Sequence, residues 1–551
     1  MKHKKLYSLL LVSLLSSVVG CGSSGSSWKD DDTMYPLKYD GQEGYVIDES
    51  ISNENGSLSY EIFVRSFYDH DGNGIGDLLG VKDKIPYLAS LGVKTVWLMP
   101  IHDSPSYHGY DVRDYYKVHQ DYGTINDFDA LVAEANNYNI DIMLDMVFNH
   151  TSNTNSWFHQ SYVDRVNDNT GDDSKKDWYS WSDSGNYTYR TEKYVAYFGS
   201  SMPDLNLSST SLRKEIDNIC KFWIKDHGVK GFRLDAIFHY YEMNVDENNE
   251  FLSWLNTTTK KYNPNFYMVG EAWTGDPMIN GHYRSGLESC FRFGTSVMGD
   301  ENLLNLTQGY GNIKSIGNII EQNEATIKQY NPNGYSSYFI SNHDMDRPEY
   351  VDREYVGEGL NQAKALASAV YLLPGTPFIY YGEEIQMVGK RKTDPDDMSD
   401  AKRRLPMVWS KDDKTGECQF PEQSRKDLDN TVQVELGVED QLKDPNSLVN
   451  HYRYVGSIRN KYPILKKGVY KSLYKSLNFT EGYMYDRVLA YSITLGSQSI
   501  IIVHNFSMYN CEFDVLGSGE ILDSINVTNK MPEIKDGKIR LGSYSSVILK
   551  A

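Results

Sequence analysis

Apolar residues along this chain come in short runs, and several of these runs end abruptly in polar side chains. Strand-like runs at residues 93–99 and 140–148 are separated by helical stretches, an alternation typical of a parallel α/β barrel. Five segments carry Asp, Asn, His, Glu or Arg near their ends, at residues 145–150, 202–206, 231–239, 270–273 and 339–344. Buried parallel strands present such groups on one rim of a barrel. The pattern therefore predicts that all five segments are strands that deliver side chains to one site.

The alternation of strands and helices lapses in two places. Between residues 151 and 207 the chain is rich in Asn, Asp, Ser, Trp and Tyr, and from about residue 465 onward strand-like runs replace the helical pattern. We expect the first segment to be an excursion from the barrel and the second to be a small antiparallel domain. The predicted units are a barrel formed by residues 41–150 and 208–464, an inserted domain at 151–207 and a C-terminal β-sandwich at 465–551.

The first 40 residues predict export rather than part of the fold. Residues 1–5 are basic, residues 6–19 are apolar and short for a membrane span, and Gly20 and Cys21 follow. This pattern resembles a bacterial lipoprotein signal of residues 1–21, in which cleavage before Cys21 leaves a lipidated cysteine at the new N-terminus. Residues 22–40 then form a flexible tether. The expected location is the extracellular side of a bacterial membrane, and an ordinary secretory signal is the alternative.

The five polar segments are DMVFNH, MPDLN, GFRLD, GEAW and FISNHD, in this order along the chain. The sequences of these segments and their order resemble the α-amylase family of retaining glycoside hydrolases, and the resemblance covers residues 57–409. The second segment resembles the group between oligo-1,6-glucosidases and neopullulanases, which includes lipoprotein α-amylases. The resemblance implies a (β/α)8 TIM barrel, with the insertion after the third strand as the family's domain B and an antiparallel β domain at the C-terminus.

The resemblance assigns three catalytic carboxylates: Asp235 as nucleophile, Glu271 as general acid and then base, and Asp344 as the group that stabilises the oxocarbenium-like sugar. Retaining hydrolysis needs a carboxylate and a carboxylic acid about 5 to 5.5 Å apart, and the pKa of the acid must be raised. Repulsion among the three carboxylates, together with burial, would keep Glu271 protonated near neutral pH. Taken alone, Asp344 would more often cap a helix.

Other residues are expected to bind the substrate or orient the nucleophile. Arg233 lies two positions before Asp235, so both side chains project from the same face of a strand, as they also would in a structural ion pair. By resemblance, Tyr110 stacks on the sugar, His150 and His343 donate to its hydroxyls, and Arg404 either contacts the sugar or caps a loop. Alone, His150 would fit a hydrogen-bonded core histidine. The implied substrate-binding set is His108, Tyr110, Asp111, His150, Arg233, His343 and Arg404.

Residues 69–77 read DHDGNGIGD, with oxygen-bearing side chains at alternate positions and glycines that let a loop close around an ion. The segment begins like a helix-loop-helix calcium loop, but Gly80 stands where that motif needs a bidentate Glu. It resembles instead a calcium loop found after the first barrel strand in some α-amylase family members. The implied Ca²⁺ ligands are Asp69, Asp71, Asn73, the Ile75 carbonyl and Asp77. A metal-free turn is the alternative.

A second calcium site is implied where domain B meets the barrel. Its ligands in many α-amylases match Asn149, Asp204 and His239, although ordinary hydrogen bonds at the interface would use the same residue types. Glu383 and Glu384 follow the predicted last barrel strand, and the resemblance implies that this position supports the barrel rim.

Composition agrees with such an enzyme. The chain has 551 residues, which is more than one ordinary domain. Its content of 40% hydrophobic and 13% aromatic residues can supply a large core. The 43 tyrosines and 9 tryptophans suit sugar binding, because flat rings cover the apolar faces of glucose. A net charge of −20 would repel nucleic acid and fits a neutral α-glucan substrate. A monomer is expected.

Substrate choice is open between related activities. A lipid-anchored, outward-facing enzyme is well placed to meet starch, which favours endo-acting hydrolysis of α-1,4 bonds in starch and maltodextrins. Phe238 stands where many α-amylases carry Lys, and Asp111 resembles the Asp that holds a non-reducing end in exo-acting α-glucosidases. The alternatives are therefore an α-glucosidase or neopullulanase-like enzyme on maltooligosaccharides or α-1,6 linkages, and a non-catalytic surface starch-binding lipoprotein.

Overall fold

The computed structural model of the protein describes residues 58–308, 312–350, 357–391, 399–421, 433–480, 487–528 and 530–551. The predicted signal peptide, the lipidation site Cys21 and the tether lie outside the described residues.

Eight parallel strands form a closed barrel, in agreement with the predicted fold. In chain order they are Ser59–Ile62, Thr95–Leu98, Asp141–Met146, Gly231–Leu234, Tyr267–Gly270, Ser289–Phe291, Tyr335–Ser337 and Phe378–Tyr380. The first seven strands pair in sequence, and the eighth pairs with the first. A parallel bridge between Phe339 and Phe378 joins the seventh strand to the eighth. Most strand residues are buried on both faces, as expected for strands enclosed by helices.

Helices surround the barrel and connect its strands, and one of them, Ser156–Val166, lies in the excursion after the third strand. The longer ones are Ile125–Asn137, Ser156–Val166, Thr210–Cys220, Val245–Tyr262, Ile313–Tyr330, Glu358–Leu372 and Leu448–Lys461; the shorter ones are Leu78–Asp83, Ile85–Ser90, Asp276–His282, Phe293–Ser296, Leu303–Thr307, Val438–Gln441 and Ile464–Lys467. The helix Thr210–Cys220 continues as a π-helical turn, Lys221–Asp226. Within the described part of the chain, none of the helices combines the length and apolar character required to cross a membrane.

The excursion after the third strand contains the helix Ser156–Val166 and a hairpin of Tyr187–Tyr189 with Glu192–Tyr194. Aromatic rings hold it together: Phe158 stacks on Trp181 at 5.1 Å and also contacts Tyr194. This unit corresponds to domain B.

The segment 202–206 is not a barrel strand, contrary to the pattern prediction. It runs antiparallel beside the chain that leaves the third strand, through an isolated bridge between His150 and Asp204. Pro203 has no backbone N–H to donate to a sheet, and the segment belongs to domain B. Its polar residues therefore approach the barrel from the side, whereas the other four segments arrive at strand ends.

The C-terminal domain is a sandwich of two antiparallel sheets. One sheet contains Val469–Ser472, Val488–Leu495, Gln498–Asn505, Ser546–Lys550 and Ile521–Ile525, and the other contains Cys511–Asp514, Lys538–Leu541 and Glu533–Lys535. Val488 and Ala490 face the second sheet and share a core with Phe513. Leu489 and Tyr491, at the alternate positions, pack into the barrel's own core. The larger sheet is therefore buried on both faces.

Candidate active site

Arg233 lies at the centre of the site and is only 1% exposed. Its Nη1 is 2.7 Å from Asp235 Oδ1 and 2.9 Å from Asp145 Oδ1, and its Nη2 is 3.4 Å from Glu271 Oε2. Strand register explains the arrangement: Asp145 is the direct partner of Arg233 on the neighbouring strand, and Glu271 follows the next strand along. One guanidinium thus contacts three carboxylates.

The backbone between the two predicted catalytic carboxylates adopts a rare conformation. Ala236, which follows Asp235, lies in the left-handed region with φ of 49°. This turn directs the Ala236 N–H to Glu271 Oε2 at 2.8 Å. Non-glycine residues seldom adopt positive φ, and they do so most often where the surrounding structure requires it. The turn fixes Glu271 relative to Asp235.

Glu271 is placed to act as a proton donor near neutral pH. Burial raises the pKa of Glu271 to about 7; the charge of Arg233 opposes this effect and the charge of Asp235 adds to it. Burial is therefore the larger cause, ahead of the repulsion between carboxylates.

Asp344 has a different environment from Glu271. Its two oxygens lie 2.8 Å from His343 Nε2 and 2.8 Å from Arg404 Nη2. Burial opposes ionisation, but His343 and Arg404 outweigh it and hold the pKa of Asp344 well below its usual range. Arg404 also donates from Nε to the His343 carbonyl at 3.0 Å. The guanidinium of Arg404 is thus bound to Asp344 and its neighbour.

The two histidines near the carboxylates differ in charge: one is neutral and the other is a cation. Burial lowers the pKa of His150 to about 4, so this ring is neutral near neutral pH. Burial also disfavours charge on His343, yet Asp344 and Glu61 together raise its pKa to about 9. One histidine is therefore a neutral hydrogen-bonding group and the other a cation.

The loop 108–111 lies against the same cluster. The ring of Tyr110 stacks on His343 at 5.4 Å, and its hydroxyl lies 2.6 Å from His343 Nε2 and 3.0 Å from Asp145 Oδ2. His108 stacks beside Tyr110. Asp111 is 5% exposed, and its Oδ1 accepts hydrogen bonds from the hydroxyls of Ser104 and Ser106. His150 and Arg404 are described above, so the structure describes all seven predicted substrate-binding residues.

Motif reasoning missed two buried carboxylates that hold this cluster. Asp145 accepts from Arg233, Tyr110 and Trp97. Glu61, on the first strand, lies 2.5 Å from His343 Nδ1. The available signal was an acidic residue inside a mostly apolar strand, because an unpaired charge is rarely buried.

The loop 69–77 brings its acidic side chains together. Oxygens of Asp69, Asp71 and Asp77 lie within 4.8 Å of one another. The carboxylate of Asp69 accepts the backbone N–H groups of Gly72 and Gly74, and both glycines have positive φ. Asp77 also caps the following helix through the Gly80 N–H. Three carboxylates at this spacing repel one another unless a cation lies between them, so this donor set fits Ca²⁺.

Two of the three residues predicted for a second calcium site line an acidic cavity beside domain B. Asp204 and His239 line a cavity of about 420 Å³ together with Glu242 and Glu247. Burial, followed by the charge of Glu242, raises the pKa of Asp204 to about 7. Asn149 Nδ2 is 3.5 Å from Asp204 Oδ1. Tyr197 donates its N–H to Asp204, and its ring stacks on His239 at 3.8 Å.

The two glutamates after the eighth strand join it to neighbouring elements: Glu384 contacts the first strand and the helix Ile85–Ser90, and Glu383 contacts the segment after the seventh strand. Glu384 accepts from the hydroxyls of Tyr60 and Tyr87 at 2.6 and 2.7 Å. Glu383 accepts from the hydroxyl and N–H of Ser341.

Sequence and structure comparisons identify relatives of this chain. The family model described as the α-amylase catalytic domain matches residues 61–468. α-Amylase 3 of Dictyoglomus thermophilum is 36% identical over 90% of this chain and 93% of its own, and an oligo-1,6-glucosidase of Parageobacillus thermoglucosidasius is 28% identical over 88% and 96%. The solved structure of Eubacterium rectale Amy13B has a TM-score of 0.80 and 34% identity, covering 94% of this chain and 98% of its own.

These matches agree with the site geometry, because the carboxylate pair, the central arginine and the barrel that presents them all lie within the matched residues. The chain therefore belongs to the α-amylase family of glycoside hydrolases and hydrolyses glycosidic bonds.

Proposed function

We propose that this protein is an endo-acting α-amylase that hydrolyses α-1,4-glucosidic bonds in starch and maltodextrins with retention of configuration. The observation that carries the proposal is the pair of carboxylates on Arg233: Asp235 is ion-paired at 2.7 Å, whereas the pKa of Glu271 is raised to about 7 by burial. A retaining glycosidase needs one ionised and one protonated carboxyl group at this position.

In the first step, Asp235 attacks the anomeric carbon while the proton of Glu271 passes to the glycosidic oxygen, so the leaving chain departs as an alcohol. Positive charge develops on the sugar ring beside Asp344, which His343 and Arg404 keep ionised. Asp344 thereby stabilises the transition state electrostatically.

In the second step, the ionised Glu271 takes a proton from water as that water attacks the glycosyl ester on Asp235. The ester bond breaks, the sugar leaves with retained configuration, and both carboxyl groups return to their starting states. Arg233 holds Asp235 in place throughout, because Asp145 binds the same guanidinium from the neighbouring strand.

Two observations favour action within a long chain. Exposed aromatic rings lie near the site: Phe198 is 5.2 Å from the His150 ring, and Trp273 follows Glu271 by two residues. Such rings can bind sugars on either side of the cleaved bond. Asp111, which would hold a chain end in an exo-acting enzyme, is buried and already accepts hydrogen bonds from two serines.

The second candidate is an α-glucosidase or neopullulanase-like enzyme, because oligo-1,6-glucosidases are among the relatives. Phe238 is buried against His239 and His282 and offers no charge beyond the cleaved bond. A non-catalytic starch-binding protein is disfavoured, since Asp235, Glu271 and Asp344 are all present.

We further propose that Ca²⁺ binds the loop 69–77 through Asp69, Asp71, Asn73, the Ile75 carbonyl and Asp77. The ion would neutralise the converging carboxylates and stabilise the loop without entering the reaction. A second ion bound by Asn149, Asp204 and His239 stays a prediction. Lipid anchoring at Cys21, location outside the cell and a monomeric state also stay predictions.

The test is a time course of products from soluble starch and from pullulan, resolved by chain length, with the Asp235→Asn variant as a blank for contaminating activity. Early mixed oligosaccharides from starch with intact pullulan would support the endo-acting assignment. Glucose alone from chain ends would favour the α-glucosidase, and panose or maltotriose from pullulan would favour the neopullulanase-like enzyme. No product at all would contradict all three enzymatic assignments.

A further inference from the structure

Both ring nitrogens of His343 face carboxylates. Nδ1 lies 2.5 Å from Glu61 Oε1, and Nε2 lies 2.8 Å from Asp344 Oδ2. Glu61 and the His343 ring are buried, with 2% and 0% of their side chains exposed. A neutral imidazole has only one N–H, so it can donate to only one of these oxygens. The geometry therefore fits an imidazolium that donates on both sides.

Tyr110 strengthens this assignment at Nε2. Its hydroxyl lies 3.0 Å from Asp145 Oδ2, to which it donates, and 2.6 Å from His343 Nε2. A hydroxyl has a single hydrogen, so Tyr110 must accept from His343 if it donates to Asp145. Nε2 therefore carries a proton, and the state of Nδ1 depends on its contact with Glu61.

The other groups that face His343 leave Glu61 as the partner that decides the state of Nδ1. Arg404 contacts the backbone carbonyl of His343, and the rings of Tyr110 and Trp97 lie 5.4 and 5.7 Å from the imidazole ring.

We propose that Glu61 is a positioning residue that keeps His343 doubly protonated, and that this cation in turn keeps Asp344 ionised and oriented toward the sugar. The inference rests on the proposed role of Asp344 in the reaction and adds to it a residue on the first barrel strand, Glu61, which never contacts substrate.

The charge on His343 should affect the pH dependence of catalysis. With Glu61 present, the pKa of His343 is about 9, above the value of about 7 for Glu271, so loss of the Glu271 proton sets the alkaline limb of activity. Without the Glu61 charge the pKa of His343 falls, because one of the two carboxylates that raise it is gone while burial still opposes the charge. Asp344 then loses its cationic partner at a lower pH, which moves the alkaline limb of activity to lower pH.

The experiment compares the pH profile of kcat/KM for the wild type, Glu61→Gln and Glu384→Gln. Glu384 is the matched control because it is equally buried at the same end of the barrel and accepts from Tyr60, the neighbour of Glu61, without contacting His343. For Glu61→Gln we expect the alkaline limb to move to lower pH, with activity at pH 5 within about threefold of wild type. For Glu384→Gln the limb should stay in place.

A second measurement follows the His343 ring directly by NMR of histidine-labelled protein, with its signal assigned by loss in His343→Asn. In the wild type His343 should remain protonated to pH 8, and in Glu61→Gln its titration should move to lower pH. This readout needs no substrate, so failure of this proposal is distinguishable from failure of the proposed α-amylase activity.

Three outcomes would overturn the proposal. The first is a wild-type His343 that is neutral at pH 7, which can be seen even if Glu61→Gln does not fold. The second is an equal loss of activity at every pH in Glu61→Gln. The third is a lowered His343 titration with an unmoved alkaline limb, because the charge of His343 would then be irrelevant to the reaction.

Discussion

The carboxyl-terminal rim of the barrel and the C-terminal sandwich are both tightly buried, yet they bury opposite kinds of side chain. The rim encloses charged groups such as Arg233, Asp145 and His343, whereas the sandwich core encloses Phe513 and Val503. Buried ion pairs contribute little net stability because desolvation offsets their attraction, while buried apolar groups stabilise in proportion to their area. Function and stability are therefore concentrated in different parts of this chain.

The largest expected effect is loss of catalysis at the rim without loss of the fold. Asp235→Asn should reduce kcat by about 10⁴-fold or more, because it removes the group that forms the covalent intermediate. The melting temperature should change little, since Arg233 keeps its contacts with Asp145. Kinetics on starch and calorimetry on the same sample measure both properties.

Asp141→Asn is the matched control, because Asp141 begins the third barrel strand at the opposite rim. It should leave kcat within about twofold of wild type. An Asp235→Asn protein that keeps most of its activity would refute the assignment of the nucleophile.

The reverse effect is expected in the sandwich. Phe513 is fully buried between the two sheets, and Phe513→Ala should cost about 3 to 5 kcal/mol of unfolding free energy. At 25 °C kcat should stay within about twofold, because the cavity lies outside the active site. Denaturant titration together with kinetics tests this, with Val469→Ala, an exposed residue of the same domain, as the near-neutral control. A large kcat loss in the folded variant would contradict the claim that the sandwich contributes to stability and not to catalysis.

The unfolding free energy should depend on pH through Glu271. Its pKa is raised on folding to about 7, so the folded state binds more protons than the unfolded state between about pH 4.5 and 7. The stability contributed by Glu271 is therefore fully present below this range and is lost as pH rises through it. Relative to the wild type, Glu271→Gln should become progressively more stable across this interval, as measured by denaturant titration at several pH values. A constant difference would mean that Glu271 ionises normally.

Calcium removal should produce the smallest effect, and it should be confined to the barrel. A ligand bound only to the folded state stabilises it by about 2.7 kcal/mol at a hundred times its Kd, so a strong chelator should lower the melting temperature. Asp71 is an exposed member of the predicted ligand set, and Asp71→Ala should abolish most of this shift. An equal shift in both proteins would place the ion elsewhere.

Much of the site could be predicted because its chemistry is local in sequence. Arg233 and Asp235 are two residues apart on one strand, and Glu271 and Asp344 stand in recognisable segments. Strand alternation then specifies which side chains share a face.

The parts that could not be predicted depend on contacts between distant segments. Glu61 meets His343 across 282 positions of sequence, so nothing near either residue indicates their contact. The apolar content of the segment 202–206 suggested a strand, but its position is fixed by the bridge between Asp204 and His150, and no periodicity reports such a bridge.

The sharing of the larger sandwich sheet between two cores has a consequence for recombination among relatives. Leu489 and Tyr491 pack toward the barrel, while Lys461 and Tyr462, at the end of the last barrel helix, hold Asp523 of the sheet. A crossover placed where the first sandwich strand begins would separate these partners. An exchanged unit that keeps Lys461 and Tyr462 with Asp523 begins before Leu448, so it is longer than the sandwich alone.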